Sequence, residues 1–347
     1  MNLDDMESTV KALLAPGKGL LAADESFPTI EKRFALINMP STPETRRDYR
    51  EMLFTTPRLG EFISGVILFD ETIRQRDSKG TPFPDVLRQQ GIVPGIKVDK
   101  GTTALVNFPG ERITAGLDGL ADRFAEYREL GARFSKWRAV FSIDASTPSV
   151  TATLANAEVL ARYAAISQQA GLVPIVEPEV LMTGNHSIDR CKVVTEWVLH
   201  GVFDALFAHR VKCEQMLLKP SMVLSGEQAS PQASVDEVAE ATTGCLRRTV
   251  PAAVPGIVFL SGGQDAITAT RHLNAINQVA GMPWVLSFSF ARALQIPALT
   301  TWKGDPSRLE AAQHALYHRV KCNSYARRGE YTDVIEHEGE DWRQQAA

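Results

Sequence analysis

The chain has 347 residues, 44% of them hydrophobic and 22% charged, so it can bury a sizeable core and lacks the composition of a disordered protein. Its formal net charge of −4 excludes the global basic field that many nucleic-acid and membrane-surface binding proteins carry. If the ligand is an anion, the positive charge that holds it must be local.

The cysteines and the N-terminus point to the cytoplasm. Four scattered cysteines, without a Cys-x-x-Cys pair, are typical of reduced thiols rather than of a disulfide framework or a zinc site. The acidic start, with Asp4, Asp5 and Glu7, lacks the basic and then apolar pattern of a secretion signal. The charge-free run Leu273 to Ala291 is broken by polar residues and Pro283, and is interpreted as a helix end followed by a strand rather than as a membrane span.

Short apolar runs alternate with longer segments of helical period along nearly the whole chain. The runs are bounded by Gly, Pro or polar residues, as is typical of parallel strands covered on both faces. In the helical segment Thr151 to Ala170, apolar residues recur at helical spacing, and Gly171 follows as a stop. The predicted strands are, in chain order, Gly19 to Asp24, Phe62 to Phe69, Pro94 to Asp99, Arg133 to Phe141, Leu172 to Val180, Gln215 to Val223, Gly256 to Gly262 and Trp284 to Ala291.

Eight strand-and-helix units without a low-complexity linker predict an α/β protein with a single (β/α)8 TIM barrel. The alternative is a doubly wound open sheet, which a Gly-x-Gly-x-x-Gly turn after the first strand would favour, and that turn is missing. We therefore expect one catalytic domain over residues 1–347, with a polar, surface-lying C-terminal tail from about residue 324.

Ionisable residues recur where the predicted strands end. Functional groups of such barrels project from the C-terminal ends of the strands, and residues two apart share one face of a strand. For any single pair of such residues, the alternative interpretation is that the charges are simply solvated or paired with neighbouring residues. Six strands that bring charges to one end favour a network lining a polar pocket, and the residues are Asp24, Lys97, Asp99, Lys136, Arg138, Glu177, Glu179, Lys219 and Arg292.

Lys219 lies in an apolar run that is predicted to be a buried strand. A buried ammonium is costly unless it is paired, and lysine becomes a nucleophile when its surroundings lower its pKa. The pattern therefore indicates imine chemistry with a carbonyl substrate, with a structural ion pair as the alternative.

The seventh predicted strand turns through Ser261-Gly262-Gly263-Gln264 into a helix. Backbone N–H groups in such a turn, together with the helix N-terminus, are able to hold a phosphate, and TIM barrels often bind phosphate after strands seven and eight. Arg292, after strand eight, is expected to complete the clamp.

A metal role is not expected. None of the seven histidines falls at a strand end, and neither His-x-His nor His-Glu-x-x-His occurs. His314 and His318 are spaced four apart, which is more typical of an ordinary helix face than of a metal site. Electrophilic catalysis is then left to a lysine.

From about Ala15 to Tyr331, the chain resembles the class I fructose-bisphosphate aldolases. The resemblance rests on several motifs in family order, and they are residues 15–26 (APGKGLLAADES), 65–69 (GVILF), 95–101 (GIKVDKG), 136–138 (KWR), 173–179 (VPIVEPE), 217–220 (LLKP) and 259–264 (FLSGGQ).

The resemblance implies roles for individual residues. Lys219 would form the Schiff base, Glu177 would be its general acid and base, and Asp24 would take the C4 hydroxyl proton. Lys136 and Glu179 would hold the surrounding charge network. Ser261, Gly262 and Arg292, with Gly263, Ser289 and Ala291 beside them, would form the C1-phosphate site. The residues expected around the other phosphate or the pocket wall are Ser26, Thr29, Lys32, Arg33, Lys97 and Arg138.

The chain also departs from the family pattern. Phe27-Pro28 replaces small residues and is expected to stiffen and enlarge the loop after Ser26, and Thr29 replaces a common serine. Ala291 stands where many relatives have glycine, so its methyl group is expected to crowd the C1-phosphate. The end of the chain, residues 341–347, lacks the tyrosine that assists proton exchange in many relatives, so another acid or water is expected to serve.

The implied activity is reversible cleavage of fructose 1,6-bisphosphate into dihydroxyacetone phosphate and glyceraldehyde 3-phosphate, in glycolysis and gluconeogenesis. It requires no cofactor, and a homotetramer is implied by the resemblance alone. Fructose 1-phosphate and sedoheptulose bisphosphate remain as alternative substrates. The alternative to an enzyme is a binding or scaffold protein that has kept this fold and lost the catalytic chemistry.

Overall fold

The computed structural model describes residues 3–338, and its central feature there is a closed barrel of eight parallel strands. The barrel order is β1-β2-β3-β6-β7-β8-β9-β10, and β4 and β5 form a separate antiparallel hairpin, where the strands are β1 (Gly19–Ala23), β2 (Ile63–Leu68), β3 (Val93–Lys97), β4 (Thr102–Ala104), β5 (Arg112–Thr114), β6 (Phe134–Phe141), β7 (Val173–Val180), β8 (Leu217–Leu218), β9 (Gly256–Phe259) and β10 (Val285–Phe290).

Helices surround this barrel and connect its strands. They are α1 (Leu3–Leu13), α2 (Phe27–Phe34), α3 (Pro43–Phe54), α4 (Asp70–Arg74), α5 (Phe83–Gln89), α6 (Leu120–Glu129), α7 (Val150–Gln169), α8 (Ile188–Ala208), α9 (Val235–Thr249), α10 (Ala266–Gln278), α11 (Arg292–Trp302), α12 (Leu309–Arg327) and α13 (Asp333–His337). Short 3-10 turns cover Ala35–Ile37, Leu59–Glu61, Cys213–Gln215 and Pro306–Arg308. Each helix within residues 3–338 is too short or too polar to cross a bilayer.

Pairing of β1 with β10 closes the sheet, with Leu20 opposite Ser289. This closure confirms the predicted TIM barrel and rules out the open sheet, whose outer strands would remain unpaired. Two glycines allow neighbouring strands to pack closely against aromatic rings. A Cβ atom added at Gly95 would lie 2.2 Å from the ring of Phe134, and one at Gly19 would lie 2.5 Å from the ring of Phe288.

The hydrophobic core has two layers because successive side chains of a strand point to opposite faces. In β1, Leu20 and Ala22 belong to the barrel interior, whereas Leu21 and Ala23 pack in the layer between strands and helices. Helix α1 contributes to the interior layer through Met6, Val10 and Leu13, which lie with the inward residues of several strands. The other end of the barrel, where the strands have their carboxyl ends, is left for polar side chains.

Most predicted strands are present with shifted ends, and the largest difference concerns the sixth. The prediction of Gln215 to Val223 is wrong in extent, since β8 comprises only Leu217–Leu218. A 3-10 turn precedes it, and Pro220 has no N–H to donate to a ladder. Lys219 itself still donates its backbone N–H to Val176 O at 2.8 Å.

Residue 324, predicted as about the start of a surface-lying tail, is still inside a helix. Helix α12 continues to Arg327, and Ser324 and Ala326 are buried. The guanidinium of Arg327 donates to the carbonyl of Leu14 at 2.8 Å and also contacts the carbonyl of Lys18, so it holds the helix against the segment before β1. Polar residues at the end of α12 are therefore buried against the rest of the domain, although their polar character predicted a surface position. Residues 339–347, including the end that lacks the tyrosine, lie outside the described range.

Candidate active site

Strand alternation brings four charged side chains together at the carboxyl end of the barrel. Each charged residue follows an inward apolar residue by two positions, so it shares the inward face of that strand. The pairs are Ala22 and Asp24, Phe134 and Lys136, Ile175 and Glu177, and Leu217 and Lys219. The predicted convergence of these charges is therefore what the structure shows.

Lys219 and Glu177 form the deepest part of this group. The Nζ atom of Lys219 lies 3.7 Å from Oε1 of Glu177, and the two side chains are only 3% and 5% exposed. Burial lowers the pKa of Lys219, and the cation of Arg138 lowers it further, while Asp24 and Glu179 oppose the change. A lowered pKa enlarges the fraction of neutral amine, which is the nucleophilic form.

Lys136 bridges the two carboxylates of the group. Its Nζ atom lies 3.0 Å from Oδ2 of Asp24 and 2.7 Å from Oε2 of Glu177, and the second contact is an ion pair without hydrogen-bond alignment. Burial lowers the pKa of Lys136 to about 8, with Lys219 adding to the change and Asp24 opposing it. At Asp24, burial alone would raise the pKa, but Lys136, Lys219 and Lys97 together hold it well below its usual range. Asp24 is thus an anion at neutral pH.

Two further ion pairs interact electrostatically with this group. The Nε atom of Arg138 contacts Oε2 of Glu179. The Glu179 side chain is therefore paired and mostly buried, at 12% exposure. Lys97 donates to Oδ1 of Asp99 at 2.6 Å and to the Asp99 carbonyl at 2.9 Å. These partners hold the two cations on the inward side of β3 and β6, where they remain partly open to the mouth of the barrel.

A cavity of about 850 Å³ opens over this network. It is lined by several of the predicted residues, namely Asp24, Ser26, Thr29, Arg33, Lys97, Lys136, Arg138 and Ala291. Lys219, Glu177 and Glu179 lie outside its lining, and so do Ser261, Gly262, Gly263, Ser289 and Arg292. The cavity therefore covers the half of the mouth that belongs to β1, β2, β3 and β6.

Two residues predicted around a phosphate are placed differently from the rest. Lys32 is exposed and does not line the cavity. Arg33 is buried, and its guanidinium contacts the carboxylate of Glu25, which also contacts Arg50. Arg33 and Lys97 thus each have an anionic partner, Glu25 for Arg33 and Asp99 for Lys97, and both side chains line the cavity.

The segment after β1 begins a helix rather than an enlarged loop. Phe27 and Pro28 form the first turn of α2, and the Oγ atom of Ser26 lies 3.1 Å from Oγ1 of Thr29. The Phe27 ring packs edge-on against that of Phe69, with centroids 5.2 Å apart, and Phe69 lines the cavity. Ser26 and Thr29 thus present two neighbouring hydroxyls to the cavity.

On the other side of the mouth, the Ser-Gly-Gly turn follows β9. Gly262 has φ +59°, a left-handed conformation that suits glycine. Arg292 is exposed and donates to the carbonyl of Gly262, so it braces the turn as well as flanking it. The Oγ atom of Ser289 is buried without a hydrogen-bond partner among the described residues, so its hydrogen-bonding capacity is unsatisfied there.

Sequence reasoning missed several residues of the site. Asp70, Arg74, Arg123 and Tyr127 line the outer part of the cavity. Asp70 directly follows Phe69 at the end of the second strand, so its position was a usable signal. Arg74, Arg123 and Tyr127 lie on or beside helices α4 and α6, and no strand-end pattern marks them.

One group of potential metal ligands occurs within residues 3–338, away from this mouth. Atoms of His318, Cys322 and Glu336 lie within 4.8 Å of one another. Glu336, however, also contacts the buried cation Arg319 and accepts from the Tyr331 hydroxyl at 2.6 Å. An adjacent guanidinium disfavours a bound cation, and burial raises the pKa of Cys322 to about 12, which disfavours the thiolate.

Many known proteins are closely similar to this chain in sequence. A family model described as fructose-bisphosphate aldolase class-I matches residues 5–346. A probable class 1 aldolase of Xanthomonas campestris is 52% identical over 332 residues, which cover 95% of this chain and 99% of that protein. The cytosolic fructose-bisphosphate aldolase 6 of Arabidopsis thaliana is 53% identical over 329 residues, 94% of this chain and 92% of that protein.

A solved structure agrees with this relationship. Fructose-bisphosphate aldolase of Plasmodium falciparum, crystallised in complex with TRAP and a small-molecule inhibitor, superposes with a TM-score of 0.94 at 47% identity and covers 95% of both chains. A buried lysine beside a glutamate at the mouth of a TIM barrel is consistent with that match. The chain belongs to the class I fructose-bisphosphate aldolase family.

Proposed function

We propose that Lys219 is the amine with which this class I aldolase captures the C2 carbonyl of fructose 1,6-bisphosphate as a Schiff base. The protonated imine then acts as an electron sink while the C3–C4 bond breaks, which releases glyceraldehyde 3-phosphate and later dihydroxyacetone phosphate. The observation that carries the proposal is a buried amine of lowered pKa, 3.7 Å from a carboxylate, at the carboxyl end of the barrel.

Glu177 is proposed as the general acid and base for imine formation and hydrolysis. It is the carboxylate within ion-pair distance of the Lys219 amine, and each of these steps moves a proton at that nitrogen. Asp24 is proposed to accept the C4 hydroxyl proton, since its low pKa keeps it in the anionic form that accepts. Lys136, between them, balances both negative charges, and Glu179 restrains Arg138.

The two ends of the mouth are proposed to hold the two phosphates. Ser261, Gly262, Gly263, Ser289, Ala291 and Arg292 would surround the C1-phosphate. Ser26, Thr29, Lys97 and Arg138 would contact the other one, with Lys32 and Arg33 contributing charge from α2. Polar groups at both ends favour a bisphosphate, although fructose 1-phosphate and sedoheptulose bisphosphate fit the same chemistry.

Trapping the imine tests this proposal directly. Borohydride added with dihydroxyacetone phosphate should leave a reduced adduct on Lys219, located by peptide mass spectrometry, and EDTA should not change turnover. The Lys219→Arg variant keeps the charge but cannot form the imine, so its kcat should fall more than about 1,000-fold. Lys303→Arg, on the surface loop after α11, is the matched control and should keep full activity. An adduct on another lysine, or an active Lys219→Arg enzyme, would refute the assignment.

We further propose that residues 1–347 form one catalytic domain that acts as a cytoplasmic homotetramer. The location is supported by relatives named cytosolic, such as that of Arabidopsis thaliana. The assembly is supported by exposed apolar side chains on α7 and α8, two helices that pack together, and these are Val150, Leu154, Val193 and Trp197. Trp197→Glu should lower the molar mass measured by sedimentation, whereas Val334→Glu, also at an exposed apolar site, should not.

A further inference from the structure

The turn after β9 is held from behind by the side chain of Gln264. The Ser261 carbonyl accepts two hydrogen bonds from this residue, one from the backbone N–H at 3.2 Å and one from Nε2 at 2.9 Å. Gln264 is buried, so these bonds are shielded from competing water. The orientation of the Ser261 carbonyl is therefore set by the Gln264 amide.

Fixing this carbonyl also fixes a donor on the opposite side of the same peptide. In a planar trans peptide, the C=O of Ser261 and the N–H of Gly262 point in opposite directions. Among the described residues, neither Gly262 nor Gly263 donates its N–H to a backbone acceptor. An N–H held in place without an acceptor is suited to an anionic ligand.

Gln264 in turn is held by His272, which lies on α10. Its Nδ1 atom lies 2.6 Å from Oε1 of Gln264, and both side chains are buried. Burial lowers the pKa of His272 to about 4, so the ring is neutral and carries one N–H at neutral pH. The Ser261 carbonyl requires a donor, which places Nε2 of Gln264 towards it and leaves Oε1 to accept from Nδ1–H of His272.

We propose that His272 is a positioning residue for the C1-phosphate: it holds Gln264 in the orientation that fixes the Ser261 carbonyl and aims the Gly262 N–H at the ligand. This inference rests on the proposed function, in which the turn binds that phosphate. His272 acts through Gln264 and touches no substrate. It is not part of the strand-end pattern, since it lies in the second turn of a helix outside the barrel.

Two substitutions at position 272 separate this role from simple packing. His272→Leu removes the donor, and it should raise the KM for fructose 1,6-bisphosphate about five- to tenfold, the effect of losing one hydrogen bond, with kcat little changed. His272→Asn supplies a donor near the place of Nδ1 and should recover most of the affinity. His209→Leu, at the far end of α8, is the matched control and should leave the KM unchanged.

Gln264→Glu keeps the shape but replaces the Nε2 donor by an acceptor, so it should weaken binding even with His272 intact. Once Gln264 is changed, adding His272→Leu should have little further effect. Calorimetric titration with inorganic phosphate measures the site without catalysis, and it should show the same order of affinities. Unchanged phosphate affinity in a folded His272→Leu protein, or no recovery with His272→Asn, would overturn the inference. Failure of the Schiff-base proposal would appear instead in the native protein, as no adduct on Lys219.

Discussion

The Nζ atom of Lys219 lies 3.7 Å from Oε1 of Glu177, which is too far for a hydrogen bond and close enough for an ion pair. Glu177 is held at this distance by its second oxygen, which lies 2.7 Å from the Lys136 ammonium. The carboxylate is therefore positioned by one lysine and free to exchange protons near the other.

Replacing Glu177 by Gln should slow both formation and hydrolysis of the imine. The amide keeps the shape of the side chain but cannot relay a proton, so kcat should fall about 10²- to 10⁴-fold. Rapid-quench borohydride trapping with dihydroxyacetone phosphate measures imine formation separately from cleavage. Glu179→Gln, two positions along the same strand and paired with Arg138, should slow trapping much less. Equal effects of the two substitutions would argue against a special role for Glu177.

The pKa of Lys219 should respond to its two charged neighbours in opposite directions. Asp24 raises it, so Asp24→Asn should lower the pKa further and make the neutral amine abundant at lower pH. Arg138 lowers it, so Arg138→Met should raise the pKa and shift the same transition to higher pH. Competitive labelling with acetic anhydride at several pH values, followed by peptide mapping, reports the transition at this lysine. Shifts of the same sign in both variants would contradict the charge network described for the mouth.

Glu25 should be important for stability. Its buried carboxylate contacts both Arg33 and Arg50, and Nη1 of Arg50 already lacks a partner. Glu25→Gln would leave two buried cations without a countercharge, which should lower the free energy of unfolding by about 3–5 kcal/mol. Denaturant unfolding measures the change. Glu61→Gln, which breaks an exposed pair with Arg58, is the control and should leave the unfolding midpoint unchanged.

Gly95 should tolerate no side chain. A Cβ atom there would lie 2.2 Å from the ring of Phe134, so Gly95→Ala should destabilise the protein by about 1–3 kcal/mol through overpacking. Adding Phe134→Leu should recover part of the loss. Gly201 lies inside α8, and a Cβ atom added there would lie 3.5 Å from Cγ2 of Thr153, an ordinary contact distance. Gly201→Ala should therefore raise the free energy of unfolding by about 0.5–1 kcal/mol, as expected for alanine in a helix. A tolerated Gly95→Ala would show that the barrel interior is less closely packed than this contact indicates.

Local patterns predicted much of this molecule correctly. The period of two that places Ala22 and Asp24, or Ile175 and Glu177, on one strand face is visible in the sequence, and so are the turns that end each strand. The short length of β8 was missed because the apolar run continues past Pro220, whereas ladder pairing does not. The burial of Ser324 and Arg327 was missed because both are polar, and the backbone carbonyls that Arg327 contacts, such as that of Leu14, lie far earlier in the chain.

By itself, the sequence determined the order of strands and helices, the inward face of each strand and the types of residue at the barrel mouth, since each of these depends on neighbours a few positions apart. Only the tertiary structure decided that Arg33 pairs with Glu25 and that His272 holds Gln264 behind the phosphate turn. It also decided that Lys136 lies between Asp24 and Glu177. The physical reason is that such contacts depend on where whole strands and helices come to lie after β1 meets β10, and side-chain periodicity carries no information about those positions.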